Sequence, residues 1–210
     1  MSRILFQGDS ITDFYRQQEF PCQMGLGYPA YVAGRLGMEN PGKYQFYNRG
    51  IGGHRIVDIY ARIKRDIINL QPDYMSLLVG VNDVWHELEE GNGVETEKFK
   101  KIYEILLDEV EAALPNLRIM LMEPFVLPGT GTKAYYSQFR KGVQERAETV
   151  RQLAEERHLP LIRFQADLNR LAETAPEGYW LYDGVHPSIY FHQYMADKWI
   201  ETFRLVENVK

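Results

Sequence analysis

The chain has 210 residues, 45% of them hydrophobic and 25% charged, with a formal net charge of −5. That length and apolar fraction suit one domain over residues 1–210 with a sizeable core, and the acidic balance argues against a nucleic-acid footprint or an anionic membrane surface. A lone cysteine, Cys22, excludes an intrachain disulfide framework and a Cys-rich zinc site, and no apolar run reaches the roughly 20 residues of a membrane-spanning helix.

Arg3 is followed by too short an apolar run for a signal peptide, so a soluble, cytoplasmic protein is expected. Residues 3–7 are instead predicted to form one buried strand. The run stops at Gly8-Asp9-Ser10-Ile11-Thr12. In an open α/β sheet, chemistry collects outside the carboxyl ends of the strands. A serine there has an exposed Oγ and a free backbone N–H, which suits a nucleophile that helps hold its own oxyanion. The plain alternative is a polar residue in a strand-to-loop turn.

Residues 13–27, with Phe14, Tyr15, Phe20 and Pro21, predict an irregular stretch too long for a tight turn. A short helix over 28–36 is expected to close on Gly37 in a left-handed conformation. A second strand over 45–48 leads into Asn48-Arg49-Gly50-Ile51-Gly52-Gly53. The spacing is not G-x-G-x-x-G, and no acidic residue ends a following strand at the required distance, so a dinucleotide site is excluded. Glycines of this kind let a backbone N–H approach a ligand oxygen closely. Ile59, Ile63 and Ile67 recur every four residues and predict one helix ending before Pro72. A third strand over 74–79 runs into Gly80-Val81-Asn82-Asp83, where Asn82 can aim its amide at a developing negative charge or simply tie down the turn.

Residues 87–95 read as an acidic, Gly-rich solvated loop, after which Thr96 caps a helix with Phe99, Ile102, Leu106, Val110 and Ala113 on one face. Strand four, 118–122, leads into Pro124, Pro128 and Gly129-Thr130-Gly131. A helix over 137–157, a strand over 159–163, a short helix over 165–175 and a last helix, capped by Ser188 and running to about Val206, complete the series. Strands alternating with helices imply a parallel sheet covered on both faces, a three-layer α/β/α domain.

Before the last helix stands Asp183-Gly184-Val185-His186-Pro187. Asp and His three apart in a turn can bring a carboxylate against Nδ1, leaving Nε2 to accept a proton from a hydroxyl. A serine hydroxyl is a poor nucleophile without such a base. With Ser10, the glycine cluster and Asn82, these residues can make a complete acyl-transfer site.

In this arrangement the chain resembles the SGNH hydrolases, the family of GDSL esterases and lipases. Four of the family's blocks match in order, at Gly8-Asp9-Ser10, at Asn48 through Gly53, at Gly80-Val81-Asn82-Asp83 and at Asp183-Gly184-Val185-His186. The resemblance implies a five-stranded flavodoxin-like sheet, Ser10 as nucleophile, His186 as base and Asp183 as its orienting carboxylate. It also implies an oxyanion hole from the N–H groups of Ser10 and Gly53 and the side chain of Asn82, with Gly52 as the alternative to Gly53. More narrowly, the chain is similar to the small acetyl-xylo-oligosaccharide esterases of that family, on Gly8 through Asp13, Asn48 through Gly53, Gly80 through Trp85, and Pro124-Phe125. That similarity implies removal of acetyl groups from short acylated sugars. A fatty-acyl esterase or thioesterase of the lysophospholipase kind, and a carbohydrate-binding protein without turnover, are the competing readings.

Asp9, Tyr15, Trp85, Trp180 and Tyr182 adjoin the motifs and are expected to contact substrate, the rings by stacking on the C–H faces of sugars. Trp199 is expected in the core, His54 and His86 beside the site, and His158 and His192 at the surface. None of these four histidines has carboxylate or cysteine spacing that suggests a metal, and neither a metal nor a cofactor is expected. The expected partner is a small acylated carbohydrate or another small ester, with no nucleic acid and no membrane; a homo-oligomer stays open.

Overall fold

A computed structural model describes residues 1–20 and 23–208. Five parallel strands are arranged in the order β2-β1-β3-β4-β5. They are β1 (Ser2–Gly8), β2 (Tyr44–Asn48), β3 (Tyr74–Leu78), β4 (Arg118–Met122) and β5 (Leu161–Ile162). Parallel strands need crossovers, and helices supply all of them here.

Side chains alternate across the sheet, so each strand feeds two cores. Ile4 and Phe6 of β1, with Tyr74 and Leu78 of β3 and Met120 and Met122 of β4, face α2 (Tyr28–Glu39) and α9 (Ile189–Asn208). Leu5, Met75, Leu77, Ile119 and Leu121 face the other way. There they meet α3 (Ile56–Ala61), α6 (Thr96–Ala113) and α7 (Tyr136–Glu156). Trp199 is fully buried between Phe6 and Phe203, at centroid distances of 5.1 and 5.0 Å, as its place on an apolar helix stripe predicts.

The register decides where the site forms. Phe6 lies opposite Asn48, and Gly8 opposite Leu78, so β1, β2 and β3 finish at one edge of the sheet. The chain leaves β1 with β2 on one side and β3 on the other, and that reversal of strand order opens a crevice. Ser10, the glycine cluster and Asn82 all emerge there.

Several local expectations are corrected. The second helix does not close on Gly37 but continues to Glu39, with the Asn40 N–H bonded to Leu36 O. Nothing forces Gly37 out of helical geometry, and the left-handed turn falls at Gly42 instead (φ 78°). Residues 87–90 belong to α5 (Val81–Glu90), which ends on Gly91 in a left-handed conformation. Thr96 is the first residue of α6 rather than its cap, its hydroxyl donating to Glu145 and accepting from Arg146. The isoleucine stripe is two helices, α3 and α4 (Ile63–Asp66), broken at Arg62. β5 is only two residues long, because it pairs with β4 alone at the sheet edge. The helix after it, α8 (Gln165–Ala172), stops three residues early. Ser188 accepts the His192 N–H on its carbonyl, while its hydroxyl has no partner among the described residues. Among the described residues, no helix is long and apolar enough to cross a membrane.

Candidate active site

The turn after β1 is built by Asp9. Its carboxylate accepts the Ile11 N–H at 3.0 Å, and its carbonyl accepts those of Thr12 and Asp13, winding Ser10 into α1 (Ser10–Asp13). As the first helical residue, Ser10 has no intrahelical acceptor for its own N–H. Gly8 must lack a side chain, since a Cβ there would stand 2.5 Å from the Leu78 carbonyl oxygen.

Ser10 Oγ lies 2.9 Å from His186 Nε2, and His186 Nδ1 lies 2.6 Å from Asp183 Oδ2. The other carboxylate oxygen of Asp183 accepts the backbone N–H groups of Val185 (2.9 Å) and His186 (2.7 Å). One carboxylate therefore shapes the loop with Oδ1 and orients the imidazole with Oδ2. Burial pushes Asp183 up, but the bonds from the His186 ring and the two backbone N–H groups outweigh it and hold the acid below its usual value. The loop is pinned from the far side: Gly131 N–H donates to Asp183 O, and Leu127 N–H to Gly184 O. Gly184 has φ 99°, and a Cβ on it would sit 2.6 Å from Leu127 O, so only glycine fits.

The second wall is the glycine loop. Asn48 ties it down, donating to Thr12 O and Met24 O and accepting the Gly50 N–H. Gly52 N–H donates to Asp13 at 3.3 Å, whereas none of the described residues accepts the Gly53 N–H (φ 77°). Asn82, nearly buried at 5% exposure, donates one amide N–H to His54 O at 3.1 Å, and none of the described residues accepts the other. Its neighbour Asp83 accepts the Ile56 N–H at 3.0 Å and so joins α5 to the start of α3. Burial pushes Asp83 up to about 7, against the pull of that N–H and of Arg146.

Asn82, Trp85 and His86 share one face of α5 through their i, i+3 and i+4 spacing. The Trp85 ring lies 6.0 Å from the His186 ring, and Tyr182 stacks on His186 at 5.6 Å and 15°. Tyr15 is 75% exposed on the loop beside Phe14. Trp85 and Tyr182 therefore flank the Ser10–His186 pair directly. Trp180 does not: its indole N–H donates to Leu171 O, and the ring lines a separate cleft with Tyr31, Tyr179 and Tyr190. Asp9 cannot meet substrate either, being 1% exposed and committed to its turn. Burial pushes it up to about 7, opposed by the Ile11 N–H and by His186.

His192 corrects the expectation of a surface residue. It is fully buried, its Nδ1 accepts the Tyr28 N–H at 3.1 Å, and its ring packs edge-on against Phe14 at 4.3 Å. Burial, and then the positive charge available to His186, push it down to about 3. The signal was present in the sequence, because His192 shares a helical stripe with Met195, Ala196 and Trp199. Among the described residues, no group of three or more His, Cys, Asp or Glu is placed to hold a metal ion.

Residues 6–194 match the GDSL-like lipase/acylhydrolase family. An acetylxylan esterase from Geobacillus stearothermophilus is 32% identical over 209 residues, covering 92% of this chain and 90% of that protein. The solved structure of Axe2, an acetylxylan esterase from the same organism, superposes with a TM-score of 0.84 at 29% identity, over 96% of this chain and 93% of that one. A GDSL-like protein from Parabacteroides merdae superposes with a TM-score of 0.91 at 36% identity, over 97% and 96% of the two chains.

Proposed function

We propose, for a chain that belongs to the GDSL-like lipase/acylhydrolase family and is a carboxylic ester hydrolase, that Ser10 forms an acyl-enzyme with small acyl esters, acetyl above all. The observation that carries this reading is the continuous relay from Ser10 Oγ through the His186 ring to Asp183, with links of 2.9 and 2.6 Å.

In the first step the Ser10 Oγ–H proton passes to His186 Nε2 as Oγ attacks the ester carbonyl. Asp183 holds the proton on Nδ1 and stabilises the imidazolium that results. The oxyanion is received by the N–H groups of Ser10 and Gly53 and the free amide N–H of Asn82. The imidazolium then protonates the leaving alcohol, and the acyl group stays on Ser10. Water, deprotonated by His186, attacks the acyl-serine, and as the acyl–Oγ bond breaks the imidazolium returns that proton to Ser10 Oγ and the carboxylic acid leaves. The bond of Gly52 to Asp13 favours Gly53 as the backbone donor.

The substrate reading is a sugar acetyl ester. Trp85 and Tyr182 present flat rings beside His186, which suits the C–H face of a pyranose, and a related chain is named an acetylxylan esterase. Tyr15 can add a third ring; Trp180 belongs to a neighbouring cleft. Acetate release from acetylated xylo-oligosaccharides tests this, with kcat/KM compared for an acetyl and an octanoyl ester of one alcohol. A steep fall from acetyl to octanoyl is expected. A preference for octanoyl replaces the sugar deacetylase with a lipolytic enzyme.

A further inference from the structure

We infer that Arg62 is a positioning residue that clamps the oxyanion-binding loop to the end of the nucleophile's strand. The inference rests on the oxyanion reading above, and it concerns a residue outside every motif found in the sequence.

The helix after the glycine loop breaks at Arg62, whose backbone (φ −114°, ψ 15°) caps both α3 and α4. The side chain turns back under the site and is 7% exposed. Its guanidinium serves three parts of the site at once. Nη2 donates to Gly8 O at 3.3 Å, two residues before Ser10. Nη1 donates to Arg49 O at 2.8 Å, where the glycine loop begins. Nε donates to His54 Nδ1 at 3.1 Å, one residue past Gly53, and the carbonyl of that same His54 accepts the Asn82 amide. The charge is balanced from below by Asp66, which takes Nη1 at 2.8 Å and a second arginine, Arg65.

A planar fork with five donors can reach these acceptors together; an ammonium on a flexible stem cannot. The Gly8, Arg49 and His54 anchors span the nucleophile's strand and both ends of the loop that carries Gly53. Loosening them lets Gly53 N–H drift from the Ser10 carbonyl-attack point, and a shift of 1 Å at such a donor costs on the order of 10²-fold in rate. The fork also fixes the His54 tautomer. With Nδ1 accepting from Arg62, the ring proton sits on Nε2. Burial and then the Arg62 charge keep His54 below its usual value, against the pull of Asp58, Asp66 and Asp13.

The test uses Arg62→Lys and Arg62→Gln in the full chain, with Arg65→Gln as a control that also touches Asp66 but not the loop. Turnover of 4-nitrophenyl acetate is expected to fall about 10–100-fold in kcat for Arg62→Lys, with KM within threefold of the native value. Arg65→Gln is expected within twofold on both. Followed by NMR, the His54 ring is expected to titrate at higher pH in Arg62→Gln, because the opposing charge and the Nδ1 donor are gone while the three carboxylates remain. A folded Arg62→Lys with native kcat, or a His54 titration that does not move, overturns the inference. Failure of both Arg62 variants to fold overturns it as well, since the residue would then serve the fold and not the site. Ser10→Ala run alongside separates the two levels: if it retains turnover, the acyl-enzyme reading itself fails, whatever Arg62 does.

Discussion

Replacing Asp183 with asparagine is the sharpest perturbation of the relay, because it changes one atom. The Oδ1 oxygen keeps its bonds to the Val185 and His186 N–H groups, at 2.9 and 2.7 Å, so the loop holds. At the other position an NH₂ now faces His186 Nδ1 across 2.6 Å. Two N–H donors cannot face each other there, so the ring must offer its Nδ1 lone pair and carry its proton on Nε2. That nitrogen, 2.9 Å from Ser10 Oγ, then donates where it has to accept. Flipping the amide does not help, since its NH₂ would oppose both backbone N–H groups. The expected loss is about 10⁴-fold in kcat, roughly 5 kcal/mol of transition-state stabilisation, as for the equivalent change in serine protease triads. The assay is kcat on 4-nitrophenyl acetate with Ser10→Ala as baseline, and a melting curve to show that the loop and fold survive. A folded Asp183→Asn within tenfold of native kcat would refute the tautomer argument.

Asn82→Ala is expected to cost about 2.7–4 kcal/mol in kcat with little change in KM, since the amide acts on charge that develops only in the transition state. A change in KM alone would make it a ground-state contact. Gly184→Ala is expected to lower both melting temperature and kcat, as the new Cβ meets Leu127 O at 2.6 Å in a left-handed backbone; an unchanged melting temperature contradicts that close fit. His192 carries a pH signature of stability. Folded, it is held neutral down to about pH 3, while the unfolded chain takes up a proton near 6.5. Its stabilising contribution is thus complete above 6.5 and is lost as pH falls toward 3, by about 1.4 kcal/mol per unit. His192→Gln keeps an acceptor for Tyr28 N–H without titrating, so its deficit against the native protein in urea unfolding should shrink by that slope from pH 6 to pH 4. A deficit independent of pH would show that His192 is not buried neutral.

The sequence by itself determined the elements whose signal is local. Alternating faces such as Ile4, Leu5 and Phe6, and the order of strands and helices, suffice for a doubly covered parallel sheet, because burial on two faces demands that pattern. Ser10, Asp183, His186 and Asn82 were legible as well, since each stands in a short motif at an element's end. What only the tertiary structure decided are contacts between residues far apart in the chain. The bond from Gly52 to Asp13 reaches across 39 positions and ties the glycine loop to the nucleophile's turn. Trp180 and Tyr182 lie two residues apart, yet one lines a separate cleft while the other stacks on His186. Arg62 has no motif at all, Asp83 stands in one only as the neighbour of Asn82, and their roles exist only once Ile56, Gly8, Arg49 and His54 have been brought around them. A local pattern records which face a residue buries; the partner of a buried hydrogen bond is chosen by the packing of the whole chain, where leaving a polar group unpaired costs more than any local preference.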